Sequence, residues 1–377
     1  MLVVESNAMI VVIGAGLIGL AIAYELRSRG AVVRVIDARE PGAAASWAGA
    51  GMLAPYTEQI AHPAFEAFCS ESLARYPAFV AGVHARGGVD ARLHLDGIVE
   101  AAFDDADVSR LRGQVADRVA RGIAAQWLEP HDAHRLEPAL RASIRGAAFS
   151  PNEGHVDNRR LGRALRAACD ALGVRVDAFA GDVALEADAR RVLGVRGPQG
   201  FIPADTVINA GGAWAADLAG VPVAARVPVS PIKGQMLALA IPRDFVRRVL
   251  WVPGAYCVPR DDGRLLIGAT VERAEFDVRV TAQGLRSLLD AALNALPALG
   301  AFAVAETWAG LRPGTPDALP YLGATSLGGY VLATGHYRNG ILLTPATAHA
   351  IADLVEGKAG ASTALAPFAI GRETRAA

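Results

Sequence analysis

Gly14, Gly16 and Gly19 stand directly after an apolar run, Ile10 to Ile13. Directly after them Leu17, Ile18, Ala21, Ile22, Tyr24 and Leu26 recur at helical spacing. A G-x-G-x-x-G turn between a buried parallel strand and a helix is built to hold a pyrophosphate. Gly14 allows the tight turn, Gly16 lets the phosphate approach the backbone, and Gly19 lets the helix press on the sheet. The helix start adds free amides and a positive dipole end. Asp37 closes the next strand, Arg34-Val-Ile-Asp37. A carboxylate there accepts from both ribose hydroxyls of an adenosine and repels a ribose phosphate, so a dinucleotide other than NADP is expected. The same apolar stretch is long enough for a membrane span. Three glycines on one face and the polar end Glu25-Leu26-Arg27 argue against that, and the absence of a cleavage-like site argues against a signal peptide.

Other residues suggest chemistry further along. Arg312 precedes Pro313 and is therefore expected in extended backbone. A guanidinium in an apolar seam needs an anionic partner. Its fork suits a substrate carboxylate, and the structural alternative is a pair with Asp317 or Glu306. Tyr256 lies in Tyr-Cys-Val-Pro-Arg, where strand alternation puts Tyr256 and Val258 on one face and Cys257 on the other. Gly335 and Gly340 leave free amides at the start of a last helix, a place for negative charge, and Pro345 is tolerated only near its beginning. Arg338, in the same loop, is either a substrate contact or a loop anchor. No general base stands out. His131 and His134 are three apart with no third ligand nearby, and no metal is expected.

Two domains are expected for 377 residues, and a net charge of -1 gives no support to a nucleic-acid or membrane-surface role. Cys69, Cys169 and Cys257 are far apart and suggest a reducing compartment, so a cytoplasmic location is expected. Lys233 and Lys358 are the only lysines, which reads as codon bias. Ser6-Asn7-Ala8, before the strand pattern begins, reads as a cloning remnant or a native leader.

Several elements must position these residues. Helices are expected over Pro63 to Arg86, Val108 to Gly122, Ala133 to Leu140, Arg159 to Leu172 capped by Asp157, and Thr281 to Leu296. Leu93 to Phe103 reads as a hairpin around Asp96-Gly97. Asp182 to Glu186, Arg191 to Arg196 and Gly200 to Ala204 are short strands, the last two a flap. Thr206-Val-Ile-Asn-Ala-Gly-Gly-Ala-Trp214 is another strand running into glycines. Ile232 to Ile241, Leu250 to Pro259 and Arg264 to Val271 alternate as strands. The fold expected is α/β, a Rossmann-like dinucleotide domain with an inserted antiparallel-sheet (α+β) substrate and oligomerisation domain. The first would comprise 9–88, 146–226 and 308–370, the second 89–145 and 227–307.

Five motifs occur in order: Val-Ile-Gly-Ala-Gly-Leu-Ile-Gly, Ala-Gly-Met-Leu-Ala, Val-Ile-Asn-Ala-Gly-Gly-Ala-Trp, Trp-Ala-Gly-Leu-Arg-Pro-Gly-Thr and Thr-Gly-His-Tyr-Arg-Asn-Gly-Ile-Leu-Leu. The chain thereby resembles the D-amino-acid oxidase family of FAD flavoproteins, most of all its glycine oxidase branch, over nearly its whole length. The resemblance implies non-covalent FAD, for no cysteine lies in the C-terminal motifs. It implies that Leu17 and Ile18 line the pyrophosphate turn and that Asp37 and Ala38 meet the adenosine. Ala45, Ser46, Ala50, Gly51 and Met52 would run along the diphosphate and isoalloxazine, and Val183 would pair its backbone with the adenine. His336, Tyr337, Arg338, Asn339, Gly340, Ile341 and Leu342 would close over the flavin's pyrimidine end. Arg312 becomes the carboxylate clamp, with Tyr256 and Arg338 beside it.

The activity implied is oxidation of glycine, sarcosine or a small D-amino acid by oxygen to an imine and peroxide. The imine would be used for the thiazole of thiamine, with possible hand-off to a thiazole synthase and a homo-oligomeric enzyme. Gly254 and Val271 depart from the family pattern and are expected to widen the pocket. The competing readings are a dehydrogenase that passes electrons to a quinone and a tRNA-modifying flavoprotein of the same fold. Near-neutral charge argues against the latter.

Overall fold

The computed structural model describes residues 8–372, so the stretch up to Asn7 lies outside it. The apolar run becomes the strand Met9–Ile13, buried on both faces, at the centre of a six-stranded sheet. It pairs in parallel with Val32–Ile36 and Thr206–Asn209; Arg175–Asp177 and Tyr330–Thr334 extend the sheet on either side. Tyr321–Ala324 closes one edge in antiparallel sense. Helix Leu17–Ser28 packs on this sheet with helices Asn158–Ala171 and Thr344–Val355 around one apolar core. Asp157 caps the second of these, its carboxylate accepting from Arg160 N.

The long helix is Pro63–Gly87, ended by Gly88 in the left-handed conformation, close to the expected bounds. Its buried stripe, Phe65, Cys69, Leu73, Tyr76 and Val83, joins the same core. From it Ser72 Oγ donates to Leu342 O at 2.6 Å and the Tyr76 hydroxyl donates to Ile341 O. One helix thus fixes the backbone of the C-terminal glycine loop.

The second body of structure is an eight-stranded sheet. Val304–Gly314 and Ser230–Ala240 pair over ten residue pairs at one side, followed by Arg264–Gly268, Ala255–Pro259, Val249–Val252, Ile98–Ala102, Gly146–Ser150 and Gln126–Leu128. Helix Ala282–Ala295, capped by Thr281, covers one face over a separate core. Two small antiparallel sheets complete the fold. One is the expected flap, Ala184–Ala187 with Val192–Gly197 and Gly200–Pro203; the other joins Met52–Leu53, Gly154–Val156 and Leu93–His94.

Several expectations need correction. Leu93 to Phe103 is not a hairpin: Leu93–His94 pairs with Gly154–Val156, whereas Ile98–Ala102 pairs with Val249–Val252 and Gly146–Ser150. Asp96-Gly97 turns the chain from one sheet to another, and turn chemistry alone does not say which strands meet. Leu250 to Pro259 is two strands, because Pro253-Gly254, with Gly254 at φ +85°, reverses the chain between Val252 and Ala255. The short helix is Pro130–Leu136, started by a proline, rather than Ala133 to Leu140. The helix expected over Val108 to Gly122 runs instead over Asp105–Ala120, because Asp104 caps it by accepting from Asp107 N. The expected bounds at 145/146 and 307/308 do not follow the sheets. Gly146–Ser150 and the whole of Val304–Gly314 hydrogen-bond into the eight-stranded sheet.

Candidate active site

A long cleft opens at the carboxyl ends of the six-stranded sheet, where Ile13, Ile36, Asn209 and Thr334 reach its wall. Ligands of open parallel sheets bind at this edge. Gly14, Gly16, Leu17 and Ile18 line it. Leu17 N donates to Ser46 Oγ at 2.9 Å, which ties the helix start to the next wall. Gly19 does not face the cleft; a Cβ there would lie 1.8 Å from Gly14 O, so its hydrogen is what lets helix and turn touch. The Asp37 carboxylate lines the cleft and pins the turn: Oδ2 accepts from Ala15 N at 2.6 Å and Oδ1 from Arg39 N at 2.8 Å. A carboxylate has about four acceptor directions, so two remain for ribose hydroxyls. Ala38 and Val183 lie at this end.

The middle of the cleft is walled by Ala45, Ser46, Ala50, Gly51 and Met52 on one side and Gly211-Gly212 on another. The carbonyls of the first wall are tied from behind. Asn158 Nδ2 donates to Ser46 O at 2.7 Å, Trp308 Nε1 to Ala48 O at 2.9 Å, and Arg260 Nη2 to Ala50 O at 2.8 Å. The result is a wall made largely of glycine, alanine and serine, whose backbone lies close to the cleft.

The C-terminal loop divides. His336, Tyr337, Arg338, Gly340 and Ile341 line the cleft; Asn339 and Leu342 do not. Leu342 is turned into the main core, where Ser72 holds its carbonyl, and Asn339 N donates to His336 O at 3.0 Å. The helix that follows this loop starts at Thr344, four residues past Gly340, so Gly335 and Gly340 belong to the turns that lead into it. Pro345 sits in its first turn, as its missing N–H requires. His336 is buried with Nε2 3.1 Å from Thr347 Oγ1, and burial pushes its pKa down to about 3. It is neutral at physiological pH, so the charge this loop presents comes from Arg338 and from amide dipoles, not from His336.

At the far end three strands converge. Arg312, on Val304–Gly314, extends across Gly234 of Ser230–Ala240; a Cβ on Gly234 would lie 2.4 Å from Arg312 Nη1. That nitrogen donates to Thr270 O at 3.1 Å and Lys233 O at 3.4 Å. Both structural partners considered for Arg312 are occupied elsewhere. Asp317 pairs with Arg372 at 2.7 Å, and Glu306 pairs with Arg159 at 2.9 Å and Arg264 at 3.1 Å. Among the described residues Arg312 has no salt bridge. Tyr256 stands beside it with its phenol pKa raised by burial, so the hydroxyl is a donor, while Cys257 points into the opposite core.

The structure adds a residue that pattern reading missed. Glu58 lines the same end, half-buried, its pKa raised by burial while Arg338, Arg312 and Asn339 pull it back. The two residues before it are held by Glu153, fully buried, which accepts from Tyr56 N at 2.6 Å and Thr57 N at 3.1 Å, while Glu58 N itself donates to Ala54 O at 3.1 Å. The available signal was an acid in an otherwise small and apolar stretch. Val271 reaches the cleft, but Gly254 does not: it is the exposed turn between two strands and cannot widen the pocket. His134 is engaged through both ring nitrogens, with Pro130 O at 2.9 Å and Arg141 O at 3.1 Å.

The lining fits FAD: a glycine turn at a helix start, a carboxylate at the end of the second strand, a small-residue slot and a loop of turns beyond it. Comparison with known proteins gives the same answer. The family model described as FAD dependent oxidoreductase matches residues 9–354. A bifunctional protein ThiO/ThiG of Synechocystis is 38% identical over 93% of the chain, and the chain spans 52% of that relative, about half its length. A glycine oxidase of Pseudomonas aeruginosa is 35% identical over 93% of this chain and 95% of its own. The crystal structure of glycine oxidase from Geobacillus kaustophilus superposes with a TM-score of 0.91 at 33% identity, covering 97% of this chain and all of the other. No described helix is long and apolar enough to cross a membrane. The chain belongs to the FAD dependent oxidoreductase family.

Proposed function

We propose that the chain oxidises glycine, with sarcosine and small D-amino acids as further substrates, using oxygen as the electron acceptor. The single observation that carries this is Arg312, a guanidinium lining the cleft with no salt bridge among the described residues. Its position beside Tyr256 gives two kinds of donor for one small carboxylate. The glycine oxidase relatives, similar over nearly their whole length, support the same substrate.

In this reading Gly14 to Ile18, Asp37 and the slot from Ala45 to Met52 hold FAD, which when bound supplies the two-electron acceptor. Arg312 binds the substrate carboxylate, with Nη1 already oriented by Thr270 O and Lys233 O. Tyr256 donates its hydroxyl proton to the same group and stays protonated, because burial raises its pKa. The α-amine must be neutral to give up a hydride from its carbon. Glu58, its pKa raised by burial, is the group placed to take the ammonium proton. Positioning then does most of the work. Glycine and oxygen give iminoacetate and hydrogen peroxide; water converts free imine to glyoxylate and ammonia.

The ThiO/ThiG relative is bifunctional and extends well beyond the region it shares with this chain. That supports a product passed directly to a partner for the thiamine thiazole, as suits a hydrolysable imine. Peroxide release from glycine in air tests the activity. Stoichiometric peroxide and glyoxylate are expected, and flavin reduced by glycine but unable to react with oxygen would point to a dehydrogenase instead.

A further inference from the structure

A second cleft lies behind the wall of the first, on the other side of residues 44–51. Helix Asn158–Ala171, the loop at Glu40 to Trp47 and the turns at Arg243 and Asp261 enclose it. Most of its ionic groups cancel in pairs. Arg166 meets Asp170 at 2.9 Å, Arg264 meets Asp262 at 2.7 Å, and Asp261 faces Arg92 and His94. Arg159 is held by Glu306. Arg160, Arg163, Arg243 and Arg260 have no salt bridge among the described residues, against two unbridged acids in the lining, Glu40 and Asp157.

Arg260 forms the floor. It is 8% exposed, and only Nη2 is fully used, donating to Ala50 O at 2.8 Å and Asn158 Oδ1 at 3.0 Å. Nη1 is buried without a partner, as is Nδ1 of His155 beside it, which is 4% exposed. Burial lowers the Arg260 pKa only to about 10, so the guanidinium stays charged. A buried cation without a contacting anion is costly, and so is a buried N–H without an acceptor. Asp157 lowers that cost from a distance but bonds its own helix start instead.

We propose that this cleft is an anion site for a phosphate-bearing small molecule, with Arg260 at its floor and Arg163 and Arg243 at its rim. The arginines come from the floor and from two separate walls. A tetrahedral oxyanion presents oxygens in those several directions, whereas a single carboxylate presents two in one plane. The site is separate from the proposed amino-acid pocket and does not depend on that reading.

The test is calorimetric titration of the FAD-loaded protein with inorganic pyrophosphate, with citrate as a carboxylate control. The double variant Arg163→Ala/Arg243→Ala removes only exposed rim residues, and its peroxide formation from glycine is expected to match the parent. Pyrophosphate should bind the parent with a Kd below about 1 mM, the double variant should weaken it at least tenfold, and citrate should bind more weakly than pyrophosphate. Arg260→Gln should also lose pyrophosphate binding. A second titration with glycerol 2-phosphate distinguishes an organic phosphate ester, if tighter, from phosphate itself. No binding by the parent, equal binding by the double variant, or citrate bound as tightly as pyrophosphate would overturn the proposal.

Discussion

From the end beside Asp37 through the middle of the main cleft, the lining is rich in glycine and alanine: the turn from Gly14 to Ile18, the walls at Ala45 to Gly51, and Gly211-Gly212. At the end beside Arg312 the interior is faced by side chains, namely Arg312, Tyr256, Glu58 and Arg338. The two ends hold different things. A cofactor common to a family needs a shape that backbone can make, so the residues serving it must be small. A substrate needs charge and donors at one point, which only side chains from several strands supply. The comparison predicts that damage at one end spares the other.

The largest effect should follow Arg312→Ala. Truncating a charge that binds a carboxylate in a cleft costs about 2–5 kcal/mol, so kcat/KM for glycine should fall by about thirtyfold or more while FAD stays bound. Arg312→Lys should be nearly as damaging, because an ammonium cannot make two parallel bonds. Kinetics equal to the parent would move the substrate site elsewhere. Asp37→Ala should do the reverse. It should weaken FAD by about 1.5–3 kcal/mol through lost charge-assisted bonds, with glycine kinetics of the fully loaded enzyme nearly unchanged. Unaltered FAD affinity in a titration of apoprotein would remove Asp37 from the cofactor site.

Glu153 tests how the side-chain end is held. Burial raises its pKa from the ordinary value to about 6, so the folded protein favours the protonated form. Its favourable contribution is complete below the unfolded carboxyl pKa and is lost as pH rises through about 6. The shift corresponds to about 2 kcal/mol. Denaturant unfolding of Glu153→Gln against the parent at pH 4.5 and pH 7.5 should show the parent losing that advantage; a pH-independent difference would contradict it. The smallest effect is Gly234→Ala. The new Cβ meets the movable end of Arg312, so folding and FAD binding should survive while KM for glycine rises about tenfold, roughly 1.4 kcal/mol. An unchanged KM would show that Arg312 need not lie where it does.

The same contrast explains what could be read from sequence. The backbone end is written in local spacing: Gly14, Gly16, Gly19 and Asp37 fall within one strand–helix–strand unit, and their neighbourhood follows from it. Helix bounds near Pro63, Asp157 and Thr281 were equally legible, because caps and prolines act within a turn. Arg312 and Tyr256 were singled out by residue type and by motif, but their meeting depends on strand order in the eight-stranded sheet. Asp96-Gly97 misled for the same reason: it gives a turn and says nothing of partners. Glu58, Glu153 and Gly234 carry no local signature of their roles. Lys233, passed over as one of two lysines in the chain, is 2% exposed, and its carbonyl steadies Arg312. Asn339 and Leu342 were grouped with their loop because motif matching cannot see which residues of a turn face inward.

The most direct test is anaerobic mixing of the FAD-loaded protein with glycine while following the oxidised flavin band. The account predicts bleaching that saturates with glycine, is abolished by Arg312→Ala and is reversed by air with peroxide formed. No bleaching by glycine, sarcosine or D-alanine would contradict it.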